Sequence, residues 1–565
     1  MAEIVSRIYS NFRGVDFRGE EINLVRSPDA LNVWKDYKET ESIRTRPGMK
    51  KVASYEAPIH GIYFYKGEML VHSGTELHGN ADLLGSTCKL SQLNDSASSG
   101  FVYEDVFYFK DGNHYMRCTE KEGAFYDVEG YVPTTTIARK PAGGGTKYED
   151  VNMLSDLRKN SFLGDGTSKE YWLDAQELDM DYHPLVVVNG QWYEEYAVYE
   201  VDYEKGKITF QNAPPKPLTD GQDNVVISFK KTVPGYRQRI LDCTMLQIFD
   251  NRVFFSGDPK YPNVVWHCSL NDPSYVSDLD YYIEGMDTAK VKGMVAGNNA
   301  LWVFREPSDG NTTVFYHTPS IDDEYGKVYP SVHSSITTGC VGKAINFNDD
   351  IVFFSERGME GISGDVTTEQ VIAHRSSMVD RKMTSQEDYT NMVLEEWKGY
   401  LFVFIGDKVY LADSRAMFTN ENHMEYEWFM WQLPEVVTCA KVNDGVLYVG
   451  TQSGGVYTFT DNEADVESWW TTPLDKFKSP HKFKTTNKKS CTVEAEGEEI
   501  RVYAKSNRDS EYELLDTFYD VTDAFCCRIK KKKFKDLQLK FYSPKRFSLE
   551  TATLEVFVGG YLKNL

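Results

Sequence analysis

Few residues in this chain of 565 stand at the spacings that chemistry requires. Its 11 histidines are dispersed, with no HExxH, no HxH pair and no His/Cys cluster. The donor sets of zinc or iron are therefore not assembled by spacing. The nine cysteines are scattered, only Cys526 and Cys527 are adjacent, and no CxxC occurs. That argues against a zinc ribbon or a disulfide framework and predicts buried reduced thiols. The run Gly143-Gly144-Gly145-Thr146-Lys147 lacks the GxxxxGK[ST] spacing of a phosphate loop and reads as a flexible loop. Asp278, Asp280, Glu284 and Asp287 miss the spacing and central glycine of a calcium loop and read as an exposed acidic stretch. No GxSxG elbow and no nucleophile–base pair stands out. The expectation is a protein without catalytic residues, cofactor or metal.

Interaction chemistry is better represented. Arg528, Lys530, Lys531, Lys532, Lys533 and Lys535 form a basic string within FCCRIKKKKFKDLQLKF. Alternating strand positions bury Cys527, Ile529 and Leu537 while lysines face outward. A consecutive lysine run cannot alternate cleanly, so a bulge or turn is expected inside it. Such a patch suits DNA backbone or an acidic neighbour; the plainer reading is an edge strand guarded by lysine.

The elements that must position these residues read as strands. The chain carries 62 Lys+Arg against 85 Asp+Glu, a net charge of -23. From Thr471 onward the balance is 19 to 14, or +5, which leaves -28 on the first 470 residues and marks a boundary near 470. This excludes a surface that is basic throughout, but not a local basic face. The opening MAEIVSRIYSNFRG lacks a signal-peptide core and no stretch approaches 18 apolar residues, so synthesis in a reducing cytosol without membrane insertion is expected.

Between about 53 and 469 a unit recurs seven times: a β-rich run, a short polar turn and a second β-rich run. Lys-Gly, Asp-Gly, Asp-Asn, Asn-Asn and Asp-Asp turns suit tight hairpins. Short apolar runs such as VFYF, VFFSG, LWVF, IVFF, LFVFI and LYVG read as innermost strands. The prediction is an all-β fold: a β-propeller of six to eight blades over 53–130 and 233–469, a small antiparallel β-domain inserted at 131–232, and a C-terminal β-sandwich-like domain at 470–565. The competing architecture is a β-sandwich with accessory sheets. Helix is expected to be scarce, with SPDALNVWKDY (27–37) and MVDRKMTSQEDYTN (378–391) as the best candidates.

The arm, 1–52, precedes the repeats. Its Phe12, Arg13, Arg26, Trp34, Arg44 and Arg46 are expected either to close the propeller or to clasp a neighbour. Here NFRGVDFRG, SPDALNVWKDY and SIRTRPGMKKV resemble the opening of the tail nozzle, tail tubular and head–tail stabilisation proteins of tailed bacteriophages. The matching residues are Asn11, Phe12, Gly14, Ser27, Pro28, Asn32, Arg44, Arg46, Pro47 and Gly48. FLGDGTSKEYWL, VVVNGQWY and DYEKGKITFQNAPP are similar to a small module of phage tail proteins, and FKDLQLKFYSP to the closing domain of the nozzle proteins.

The resemblance implies a structural virion protein made in the host bacterial cytoplasm. It would form a homo-hexameric ring below the portal and adaptor, around genomic DNA that passes without sequence-specific binding. It would retain the genome and anchor fibre or needle proteins. The family has no catalytic residues to carry over. The alternative is a carbohydrate- or receptor-binding propeller.

Overall fold

The structure, a computed structural model, describes residues 3–36, 42–79, 89–119, 124–193, 199–322, 326–363, 369–420, 423–461, 465–507, 509–529 and 531–561. Strands make up most of it. Among the described residues, seven four-stranded antiparallel sheets form the blades of a propeller. Their first strands are Ile59–Tyr65, Ser99–Tyr103, Met245–Phe249, Val291–Gly297, Ala344–Phe347, Val393–Trp397 and Val437–Asn443, numbered here as blades one to seven.

Turn chemistry starts every blade. Each first hairpin has a two-residue loop with both residues at positive φ: Lys66-Gly67, Glu104-Asp105, Asp250-Asn251, Asn298-Asn299, Asn348-Asp349, Lys398-Gly399 and Asp444-Gly445. Two left-handed residues give the turn whose twist matches that of the flanking strands. Two sites differ from expectation. Blade two turns at Glu104-Asp105 rather than at the downstream Asp111-Gly112, and blade five turns at Asn348-Asp349, one residue early.

The apolar runs are not the innermost strands. Phe107–Phe109, Val253–Phe255, Leu301–Phe304, Ile351–Phe354 and Leu401–Ile405 are buried second strands. First strands of neighbouring blades pack against one another around the axis, and much of their surface is only half-buried. The physical reason is that the innermost strand borders the central channel on one side, whereas the second has strands on both edges and blades on both faces.

Blade seven is completed from the other end of the chain. Gly48–Ser54 pairs antiparallel with Gly455–Thr460 and supplies the fourth strand, so the ring is closed by the N-terminal segment. Between blades two and three, strands from Thr134–Arg139 to Val225–Lys230 form a six-stranded and a three-stranded sheet. These share a core of their own, with Phe162, Tyr171, Val186, Ile208, Phe210 and Ile227.

Beyond blade seven the strands make one sheet of ten, organised on Lys482–Ser506. That strand changes partners along its length, meeting Phe547–Tyr561 and then Leu537–Ser543 on one edge and three shorter strands on the other. The sheet wraps around Cys491, Val493, Val502, Phe541, Leu554 and Val556. Three of its strands come from the arm: Glu3–Tyr9 and Ile43–Thr45 pair with Phe547–Tyr561, and Val33–Trp34 pairs with Ile43–Thr45.

The helix expected over 27–37 does not form. Pro28 leads instead into bends and the strand Val33–Trp34, because Trp34 gains more by insertion among aromatic rings than an isolated short helix would supply. At 378–391 a single turn, Asp380–Met383, and a 3-10 turn, Tyr389–Asn391, are present.

Candidate functional site: the junction of arm, blades and tail

The arm residues converge where blade six meets the C-terminal sheet. Phe12 is fully buried, edge-on to Trp470 at 5.0 Å between ring centroids. Gly14 has φ +96°, and a Cβ there would stand 2.0 Å from the Trp428 carbonyl oxygen, so the motif glycine is required by both conformation and space. Beside it the Val15 amide donates to that carbonyl at 2.7 Å. The Ser27 hydroxyl accepts the amides of Asp29 and Thr471 at 3.2 and 3.3 Å, which ties the arm to the start of the tail.

Asn32 and Arg46 form one fastening. The Asn32 Oδ1 accepts from the Gln432 amide at 2.8 Å and from Arg46 Nε at 3.0 Å, and its Nδ2 donates to the Glu467 carbonyl at 2.9 Å. Arg46 also donates to the carbonyls of Pro47 and Gln432 at 2.9 and 3.1 Å. Burial pushes the Arg46 guanidinium down to about 10. Pro47-Gly48 then delivers the chain into the closing strand of blade seven.

Arg26 and Trp34 provide the remaining anchors. Arg26 is 8% exposed and makes a two-pronged contact with Glu427, which is 1% exposed, at 3.0 and 2.7 Å. Burial raises the Glu427 carboxyl more than Arg26 lowers it. Trp34 stacks on Trp397 at 5.9 Å and meets Trp431 edge-on at 5.2 Å and Tyr400 at 5.5 Å.

Phe12, Arg26, Trp34 and Arg46, expected from sequence either to close the propeller or to clasp a neighbour, are buried within their own chain. Their hydrophobic area and charge are satisfied internally. Arg13 remains exposed and Arg44 half-buried. Arg13 borders a small cleft beside Asp413 and Glu427. Arg44 borders an open cleft of about 590 Å³ with Asp461, Glu496, Glu498, Asp520 and Arg546.

The basic string does contain a bulge. Lys484 opposes Phe534 and Thr485 opposes Lys532, which leaves Lys533 as the extra residue, at φ +58°. Lys531 is paired with Glu513. Arg528, Lys533 and Lys535 are exposed, and the Lys535 amide donates to Asn507 Oδ1 at 2.7 Å. Lys530 lies outside the described residues, and of Lys532 only the backbone is described. Ile529 and Cys527 are fully buried, as strand alternation requires.

Several residues at the junction escaped sequence reasoning. Glu427, Trp428 and Trp431 lie in His423–Gln432, whose EYEWFMWQ carries four aromatic residues and two acids but no motif. Asp475 accepts from Arg7 Nε at 2.7 Å and Tyr9 at 3.3 Å, tying the first strand to the tail.

His374 is a second omission. Its Nε2 lies 2.6 Å from Asp380 Oδ2 and its Nδ1 3.1 Å from Glu360 Oε2. Burial opposes its charge, but hydrogen bonds to Asp380 and Glu360 prevail and raise the imidazolium to about 10. A charged His374 is a clamp rather than a base. With its folded pKa above the free value, the clamp's stabilisation is complete below about pH 6.5 and is lost as pH rises through about 10. Melting the protein between pH 7 and 10 should therefore show a decline that His374→Gln flattens. Parallel slopes for the two proteins would refute the assignment.

Among the described residues no group of three or more His, Cys, Asp or Glu is placed to hold a metal ion. All described cysteines are unpaired; burial pushes the thiols of Cys243, Cys268, Cys340, Cys439 and Cys527 up to about 12, which keeps them inert.

No protein-family profile and no curated protein matches the chain. Solved structures similar to it include BamB from Moraxella catarrhalis, at 10% identity and a TM-score of 0.34, covering 74% of this chain and 99% of that one. The N-terminal domain of Nup159 follows at 9% and 0.32, covering 74% and 95%. The Neurospora crassa Pan2 WD40 domain is at 10% and 0.25, covering 74% and 96%. The class is set by the strand pairing itself: a seven-bladed propeller closed by its N-terminal segment and welded to a C-terminal sheet.

Proposed function

We propose that this chain is a structural virion protein of a tailed bacteriophage, a ring-forming nozzle subunit placed below the portal and adaptor. One observation carries the reading. Residues that bear the resemblance, among them Phe12, Gly14, Ser27, Asn32, Arg46 and Gly48, are the fasteners that lock arm, blades and tail together. A subunit closed at both ends in this way resists being pulled open, which suits a wall that retains packaged DNA. The ring is a homo-hexamer that carries fibre or needle proteins.

Charge supports the same reading. A body of -28 lets DNA slide past without sticking, and the exposed Arg528, Lys533 and Lys535 suit the acidic body of the next subunit. Class averages of the purified full-length protein in electron micrographs should show six-fold rings. Replacing Arg528, Lys533 and Lys535 together by glutamine should reduce ring yield and leave the far-ultraviolet circular dichroism spectrum unchanged. Monomers at every concentration, or tight duplex-DNA binding across the body at low ionic strength, would overturn the reading; monomers that bind glycans would favour the carbohydrate-binding alternative.

A further inference from the structure

The cleft beside Arg13 holds more positive charge than the junction uses. It measures about 260 Å³ and is bordered by Phe12, Arg13 and Lys35 of the arm and by Asp413, Arg415 and Glu427 of blade six. A bulge shapes its wall. Asp413 opposes Glu427 and Met417 opposes Tyr426, so Ser414, Arg415 and Ala416 have no counterparts in the facing strand. Bulges re-aim side chains and are frequent beside binding sites.

Both carboxylates of the cleft are already satisfied. Glu427, 1% exposed, takes both prongs of Arg26. Asp413 is 2% exposed; its Oδ1 accepts the Arg415 amide at 3.0 Å and Nε at 2.8 Å, and its Oδ2 accepts Nη2 at 3.1 Å. Arg13 and Lys35 are left over. Neither side chain makes an ion pair or a hydrogen bond among the described residues. Arg13, Arg26, Lys35 and Arg415 thus stand against two carboxylates, and two positive charges remain unmatched within a body of -28.

These charges act on one another. Burial is the main cause that lowers the pKa of the Lys35 ammonium, and Arg13 and Arg415 push the same way against Asp413 and Glu427. Arg13 and Lys35 also act on the Glu427 carboxyl, adding to the effect of Arg26. Like charges gathered in a half-buried cleft repel, and an anion between them reverses the sign of that interaction. The backbones that carry the two cations are fixed beforehand. The Arg13 amide donates to the Val25 carbonyl at 2.7 Å, and the Tyr400 hydroxyl donates to the Lys35 carbonyl at 2.7 Å. Less ordering is then left for a ligand to impose.

Two surplus charges select a dianion. A carboxylate would leave one cation unmatched, whereas a phosphate monoester carries about -1.5 to -2 near neutral pH. A guanidinium fork spans two of its oxygens, and an ammonium adds a point charge.

We infer that this cleft binds a phosphate group, with the Arg13 guanidinium and the Lys35 ammonium on its charged oxygens. The inference stands independently of the ring. Calorimetric titration of the full-length protein with inorganic phosphate, adenosine monophosphate, acetate and chloride at matched ionic strength tests it. Saturable binding of phosphate or the nucleotide is expected, weakened about tenfold in Arg13→Gln and in Lys35→Gln. Neither side chain bonds within the chain, so both variants should keep the wild-type circular dichroism spectrum. Lys216→Gln, which removes an exposed cation of the inserted domain, should bind as the wild type does. Tighter binding of the nucleotide identifies a monoester as the ligand, and binding of phosphate that is as tight or tighter identifies the free ion. No saturable binding of either, acetate bound as tightly, unchanged binding in Arg13→Gln or Lys35→Gln, or an equal loss in Lys216→Gln would overturn the inference.

Discussion

Replacing Arg26 by alanine is expected to destabilise the junction by about 3–5 kcal/mol, because it strands a charge inside the protein. The pair it breaks is almost dry, with Arg26 8% and Glu427 1% exposed and two hydrogen bonds at 3.0 and 2.7 Å. In the variant the Glu427 carboxylate must either stay unpaired or take up a proton, and its pKa is already raised by burial. The two alternatives make the loss depend on pH, larger at neutral than at acid pH. The double variant Arg26→Met/Glu427→Leu should recover most of the stability, since removing both charges removes the desolvation cost together with the attraction. A chain of several domains need not unfold in one step. The shift should therefore be read in the urea midpoint of the transition reported by junction tryptophans. An unchanged midpoint in Arg26→Ala would show that the pair contributes nothing.

The second large effect is expected at Trp34. Truncation to alanine should cost about 3–5 kcal/mol by transfer and cavity terms together. The neighbours that would border the cavity, Trp397, Trp431 and Tyr400, belong to blade six. They are held by sheet pairing and cannot collapse into the space. Trp34→Phe should cost markedly less. The indole Nε1 of Trp34 is buried without a hydrogen-bond partner, so the smaller ring removes an unsatisfied donor along with the volume. Urea titration of the two variants side by side checks both statements. Equal losses for Ala and Phe would mean that a specific indole contact, rather than filled volume, matters at this site.

Much of the propeller was legible because hairpin chemistry is local. Asp-Asn, Asn-Asn, Lys-Gly and Asp-Gly announce left-handed two-residue turns at their own positions, and the apolar runs that follow them announce burial. Glu104-Asp105 was not legible, since Glu104 does not favour positive φ and Asp111-Gly112 offered a better local signal seven residues later. The assignment of apolar runs to the innermost strand failed for a related reason. Continuous apolarity reports burial on both faces, and burial alone does not order the strands of a blade.

The junction was half-legible. The arm's aromatic and basic residues stand out in the sequence, but their partners lie hundreds of positions away: Arg26 and Glu427 are separated by 401 residues, and Asn32 and Gln432 by 400. Nothing in a sequence window distinguishes an arginine that will find a buried carboxylate in its own chain from one that will meet a neighbour. The lysine string shows the other case. Its bulge followed from counting positions, because a period of two cannot be reconciled with consecutive lysines.

By itself, then, the sequence determined what depends on neighbours along the chain: the all-β class, the repeated hairpins, the insertion between repeats and the charge break near 470. Only the tertiary structure decided what depends on closure. It set the blade number at seven by recruiting Gly48–Ser54 into the last blade, turned the arm inward, and brought Gly293 against Ala344 across two blades. The reason is physical. Turn type and alternation are settled within a few residues, whereas ring closure and the pairing of buried charges minimise exposed edges and unpaired groups over the whole chain at once.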